Sequence, residues 1–330
     1  MRFTALFGLA LASVVAALSP PSSRTTPPSG ALIVRAGTTA SGEYSTLAKA
    51  VAALPADSSS QVIFIYPGTY TGQVLIQRSG PVTIYGYSTN PGSYASNQVT
   101  ITASATMTSA GSDDASGTLR IKTDKTSIYN VNIVNSYGKG VQAIALSQYA
   151  SHFGCYACQL KGYQDTVLTE TGLHVFLQGY IEGAVDFIFG QHSQAYFEGN
   201  VIAVNGPGSI TASGRSSADS GIYLFSQNTI TLASDAASGT SGTTYLGRPW
   251  ADYARVIFKS TTVDTTLQKA LWSEWSSSTP NTDHVTYADY DTEGSYSRPS
   301  WATELTASQA AAYTMSSADR CNSRSDTQKQ

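Results

Sequence analysis

Four short segments, NIVN, QLKG, YIEG and NVIA, carry Ile133, Leu160, Ile181 and Ile202 in similar polar settings, at spacings of 27, 21 and 21 residues. Around them recur brief strand-like runs such as VIFIYPG, VTITAS, TLRIKT, HVFLQGYIEG, AYFEGNVIAV and ARVIFKSTTV, separated by turn residues. A period near twenty, built of strands with no helices between them, is the signature of a β-solenoid. Sequence distance then changes its meaning. Residues one period apart stand on adjacent rungs, about 4.8 Å from one another.

One helical segment stands out, STLAKAVAALP, with Ser45 as a plausible cap, apolar Leu47, Val51 and Leu54, and Pro55 as its stop. It is expected to close the N-terminal end of the solenoid, where strand edges would otherwise be bare. The segment after Arg298 is expected to cover another side or end. Residues 1–18 pair Arg2 with an apolar stretch from Leu6 to Leu18, too short to span a bilayer, and read as a secretory signal. Residues 19–30, rich in Pro and Ser, read as a flexible leader, and residues 31–330 as one domain. Abundant Ser, Thr, Gly and Tyr with only 12% charged residues suit an all-β secreted protein. The net charge of −3 and the lack of a basic run argue against nucleic acid as a partner. Cys155, Cys158 and Cys321 are too few for a disulfide framework, so a local or Cys321-linked bridge, or plain burial, is expected.

The segment GYIEGAVDFIFG sets Asp186 between Val185 and the apolar trio Phe187, Ile188 and Phe189. A carboxylate in such a run is either a wet position on an alternating strand or a group that must protonate or find a cation. The solenoid period supports the second reading. Asp165 precedes Asp186 by 21 residues, and Gln142 precedes Gln164 by 22, so two carboxylates and two carboxamides are expected on one face over three rungs. Stacked aspartates repel, and YLGRPW offers Arg248 as the cation for one of them, with Trp250 two residues on. An arginine beside one aspartate keeps it ionised while the other's pKa rises, which separates an attacking carboxylate from a proton donor. No G-x-S-x-G elbow or glycine-rich phosphate loop is present, and His152, His174, His192 and His284 lack metal-ligand spacing.

With these residues in view, QAIAL, GYQDTV, DFIFG and LGRPW, in this order and spacing, resemble the signature segments of the pectin methylesterase (pectinesterase) family. YPGTYTGQVLI and ITASGR extend the resemblance to roughly residues 31–300. It implies a right-handed parallel β-helix and a secreted, single-domain enzyme of microbial or fungal type that hydrolyses galacturonate methyl esters of pectin. Carried over residue by residue, it makes Asp186 the nucleophile and Asp165 the general acid and then base. Gln142 and Gln164 would hold the oxyanion, Arg248 would fix Asp186, and Trp250, Phe189 and Trp272 would line the sugar cleft. The sequence departs from the usual pattern at Gly72, where an acidic residue is common, and at Ser213, where glutamine is common. A monomer is expected, with no metal or cofactor and no membrane association. Two other readings use the same features: a pectin hydrolase or lyase on the same fold, and a non-catalytic carbohydrate-binding solenoid that uses its aromatics as sugar platforms.

Overall fold

Residues 21–316 are described by the computed structural model, so the expected signal segment and Cys321 lie outside the described residues. The repeat seen in the sequence is the rung of a parallel β-helix. Ile133 pairs with Leu160, Leu160 with Ile181, and Ile181 with Ile202, all in parallel register. Three walls of strands alternate along the chain. One contains Gln61–Ile65, Val82–Gly86, Thr126–Tyr129, Phe153–Tyr156, Leu173–Leu177, Gln194–Glu198 and Ile222–Ser226. A second carries the NIVN-type strands, and the long strand Arg255–Val263 belongs to both, pairing with each in turn. The third wall, which bears the site, is a separate seven-stranded sheet of Val74–Ile76, Leu119–Ile121, Leu146–Gln148, Val167–Thr169, Ile188–Gly190, Gly208–Ser213 and Thr244–Pro249.

The period stacks like side chains inside the helix. Phe176, Phe197, Phe225 and Phe258 lie on successive rungs, with ring centroids 4.7, 4.4 and 4.1 Å apart. Removing one such buried ring to alanine costs about 3–5 kcal/mol, because neighbours fixed by their own strands cannot collapse into the gap. At the C-terminal end Trp272 continues the stack, 4.6 Å from Tyr287, with Trp301 beyond.

At the other end the helix Leu47–Ala52 buries Leu47 and Ala50. Its cap is Thr46 rather than Ser45: the Thr46 side chain accepts from the Lys49 N–H, while Ser45 accepts from the Lys49 ammonium. Part of the expected flexible leader is docked. The Arg24 guanidinium donates to Asn130 and lies over the rings of Tyr85 and Tyr129, a cation–π clasp that its proline-rich surroundings do not reveal. The segment after Arg298 adds the strand Ala302–Glu304 and the turn Ala307–Ala310, and the Tyr313 carbonyl accepts from Lys259. Cys155 and Cys158 are buried thiols not joined to each other.

Candidate active site

Asp165 and Asp186 stand at equivalent corners, each just before a strand of the third wall. Val167 pairs with Ile188, which places Asp165 beside Asp186 one rung away, and the Asp165 N–H donates to the Val185 carbonyl. Both aspartates adopt left-handed backbone conformations, with φ of 63° and 50°. Asp and Asn tolerate this region better than other residues with a Cβ. The alternation reading of Asp186 therefore fails for a local reason: the residue is part of a turn. Gly183 makes that turn possible, since a Cβ there would lie 2.3 Å from Phe187 Cβ.

The two carboxyls have unequal surroundings. Asp186, 6% exposed, accepts from Arg248 at both oxygens, Nε to Oδ1 at 2.9 Å and Nη2 to Oδ2 at 2.6 Å. Arg248 is in register with Ala212, and Ala212 with Phe189, so its side chain reaches back past the small Ala212. Burial pushes the Asp186 carboxyl up, and the guanidinium opposes that shift. Asp165, 7% exposed, has no hydrogen-bond partner for its carboxyl among the described residues. It is pushed up to about 8, by burial first and then by the charges of Asp186 and Asp113, against a weaker pull from Arg248. At neutral pH Asp165 thus holds a proton, and Asp186 is the better carboxylate.

Gln142 and Gln164 flank this pair. The Ala143 N–H donates to the Gln164 carbonyl, and Gln164 pairs with Val185. Both glutamines are half-buried, and neither carboxamide makes a hydrogen bond among the described residues, so their N–H groups are open to a carbonyl oxygen.

The aromatic residues divide. Trp250 is 37% exposed, and its backbone is held by Asn281 Nδ2 at 2.9 Å and by the Ser213 carbonyl. Phe189 is buried in the floor beneath, with Ile144, Leu168 and Ala212, its ring 6.4 Å from that of Trp250. Trp272 does not line the cleft. It is 1% exposed and belongs to the end of the core stack, as its neighbour Leu271, fully buried, would suggest. The residue that sequence reasoning missed is Trp275, whose ring lies 4.3 Å from the Arg248 guanidinium carbon and whose carbonyl accepts from Arg248 Nη1. The segment LWSEWSSSTP carries no period that would separate Trp275 from Trp272, and the partly buried Trp275 ring packs against the cluster of Ile144, Leu168, Phe189 and Ala212.

Gly214 sets the posture of Trp250. A Cβ at Gly214 would lie 2.4 Å from Trp250 Cε3 and 2.8 Å from Cζ3, so the indole rests on bare backbone. Gly214→Ala is expected to lift the ring and raise quenching of tryptophan fluorescence by acrylamide; unchanged quenching would show that the ring does not depend on that surface.

The arrangement of a guanidinium-bound carboxylate, a neutral carboxyl and two unpaired carboxamides can attack an ester carbonyl, stabilise the resulting oxyanion and protonate the departing alcohol. Comparison with known proteins agrees with this chemistry. The Pectinesterase family profile matches residues 33–319. A pectinesterase of Aspergillus niger is 45% identical over 307 residues, covering 90% of this chain and 92% of the relative, and one of Aspergillus aculeatus is 44% identical over 309 residues with the same coverage. The crystal structure of a pectin methylesterase from Aspergillus niger superposes with a TM-score of 0.79 at 38% identity, covering 86% of this chain and 93% of the other. A carrot pectin methylesterase, at 24% identity and a TM-score of 0.77 over 92% of this chain and 98% of that one, shares the fold. The chain belongs to the pectinesterase family, the hydrolases that remove methyl esters from pectin.

Proposed function

We propose that Asp186 is the nucleophile of this esterase and Asp165 its proton carrier. The observation that supports this reading is the inequality of two neighbouring carboxyls, one held in a bidentate pair with Arg248 and the other buried without a partner. An Asp186 oxygen attacks the ester carbon of a methylated galacturonate, and the carbonyl π electrons move onto oxygen. The carboxamide N–H groups of Gln142 and Gln164 receive that charge. Collapse of the tetrahedral intermediate expels methoxide, which takes the Asp165 proton and leaves as methanol. The remaining acyl-enzyme is an anhydride of Asp186. Water, losing a proton to Asp165, then cleaves it to free the galacturonate acid and restore both side chains. Trp250 and Trp275 would flank the sugar. Every step uses groups of this chain, and no metal or cofactor enters.

Gln142→Ala is expected to lower kcat by roughly 10²-fold with little change in KM, because its donor is used mainly in the transition state. Methanol release from highly esterified pectin measures this. A rise in KM alone would make Gln142 a ground-state binder.

The same reading makes the chain a secreted monomer that meets pectin outside the cell, as the apolar stretch from Leu6 to Leu18 implies, with no role for nucleic acid. No helix among the described residues is long and apolar enough to cross a membrane.

A further inference from the structure

The second wall hands the chain to the two aspartate corners through a pair of glycines. Gly162 stands three residues before Asp165, and Gly183 three residues before Asp186. The Gly162 N–H donates to the Glu182 carbonyl across the rungs. The next donors, the Ala184 and Val185 N–H groups, both turn to the Tyr163 carbonyl, at 2.7 and 3.2 Å, so that no backbone donor among the described residues reaches the Gly162 carbonyl. A carbonyl passed over by its ladder costs free energy unless a side chain or water satisfies it. Asn205 supplies that donor from two rungs away. Its backbone N–H bonds to the Gly183 carbonyl at 3.0 Å, and its side chain passes that rung to place Nδ2 2.9 Å from the Gly162 carbonyl. One residue thus ties both glycines that lead into the paired aspartates.

The orientation of the Asn205 amide is fixed by what it faces. Nδ2 also lies 3.4 Å from Glu182 Oε1, while Oδ1 is buried without a partner among the described residues. Half a turn of the amide would set its oxygen against a carbonyl and a carboxylate. Glu182, 3% exposed, is held in turn at its other oxygen, by the Tyr180 hydroxyl at 2.6 Å and the Lys161 ammonium at 3.1 Å. The corner beneath is packed closely enough to transmit a displacement. A Cβ at Gly162 would lie 2.7 Å from Thr166 Oγ1, whose hydroxyl donates to the Glu182 carbonyl, and a Cβ at Gly206 would lie 2.4 Å from the Tyr163 hydroxyl. Asn200, at the opposite end of the strand Val201–Val204, makes bonds of the same kind, to the Phe176 carbonyl and from the Gly179 N–H, but at the corner between the first and second walls.

We propose that Asn205 is a positioning residue for the reaction: its carboxamide holds the glycine entries of the two corners so that Asp165 and Asp186 keep their mutual placement. It acts through those corners and touches no substrate. The inference rests on the reading of the two aspartates as the reacting pair.

The test compares Asn205→Ala with Asn200→Ala by melting and by methanol release from highly esterified pectin. Both variants should melt lower than the wild type. Only Asn205→Ala should lose kcat, roughly 10- to 100-fold with KM within about twofold, since a reacting group displaced by about 1 Å costs up to that order. The alkaline limb of its kcat profile should also move to lower pH, because a loosened corner admits water to the Asp165 carboxyl while the charges of Asp186, Asp113 and Arg248 around it are unchanged. Asn205→Asp should be slower still, because an oxygen then replaces the donor against Gly162 and Glu182. A folded Asn205→Ala with wild-type kcat and pH profile, or an equal loss of kcat in Asn200→Ala, would overturn the positioning role. Should Asn205→Ala not fold, Asn205→Ser, which keeps a hydroxyl in the same space, carries the same comparison. Methanol release by a folded Asp186→Asn would instead remove the catalytic reading, which is a separate result.

Discussion

Asp186→Asn should reduce methanol release by at least about 10⁴-fold while leaving the β-helix folded. Asparagine keeps the shape and still accepts one bond from Arg248, but it offers no anionic oxygen to the ester. It is also the right probe for the backbone. With φ at 50°, alanine would add roughly 1–2 kcal/mol of local strain that asparagine largely avoids. A second readout separates a missing nucleophile from a damaged site. The Asp186 charge is one of the influences that raise Asp165, so removing it should lower the Asp165 titration from about 8, as followed by carboxyl NMR. A folded mutant that releases methanol at a near-normal rate would take Asp186 out of the mechanism. An unmoved Asp165 titration would mean that the two carboxyls do not sense each other.

How much of this was legible beforehand depended on what a residue's position is tied to. The rung period was readable because Ile133, Leu160, Ile181 and Ile202 point into the core, where a shift of register would expose every one of them. The adjacency of Asp165 and Asp186 followed from that period. The left-handed corners did not: Gly162 and Gly183 stand three residues before them and hint at a turn, but the positive φ falls on Asp165 and Asp186 themselves, where neither glycine nor asparagine marks it. Trp272 and Trp275 show the limit more sharply. Three residues apart in an irregular segment, they have no period to assign them. Contact with the last rung put Trp272 against Tyr287, and the distance from it left Trp275 to the guanidinium of Arg248. The docking of Arg24 on Tyr85 and Tyr129 was hidden for the same reason, because a long-range clasp by one side chain leaves no trace in local composition.

Asp165→Asn should abolish turnover and yet make the protein harder to unfold at alkaline pH. The sign follows from linkage. Asp165 titrates at about 8 in the folded chain against an ordinary value of 3.8. Between about pH 4 and pH 8 the native state therefore holds a proton that the unfolded chain has lost, and native stability falls as pH rises through that window. Above pH 8 the buried carboxylate is ionised beside Asp186 without a cation of its own, and the full cost is present. A shift of about four units is worth at most roughly 5 kcal/mol. Asparagine cannot ionise, tolerates the left-handed corner, and escapes this cost. The variant should melt several degrees above the wild type at pH 9, with the difference shrinking toward pH 4. The same proton governs catalysis: wild-type kcat should fall as pH passes about 8, because methoxide then departs without a donor, once background saponification is subtracted. Equal melting temperatures for the two proteins at pH 9, or a wild-type rate that stays flat to that pH, would show that Asp165 is already ionised at neutrality and cannot be the acid.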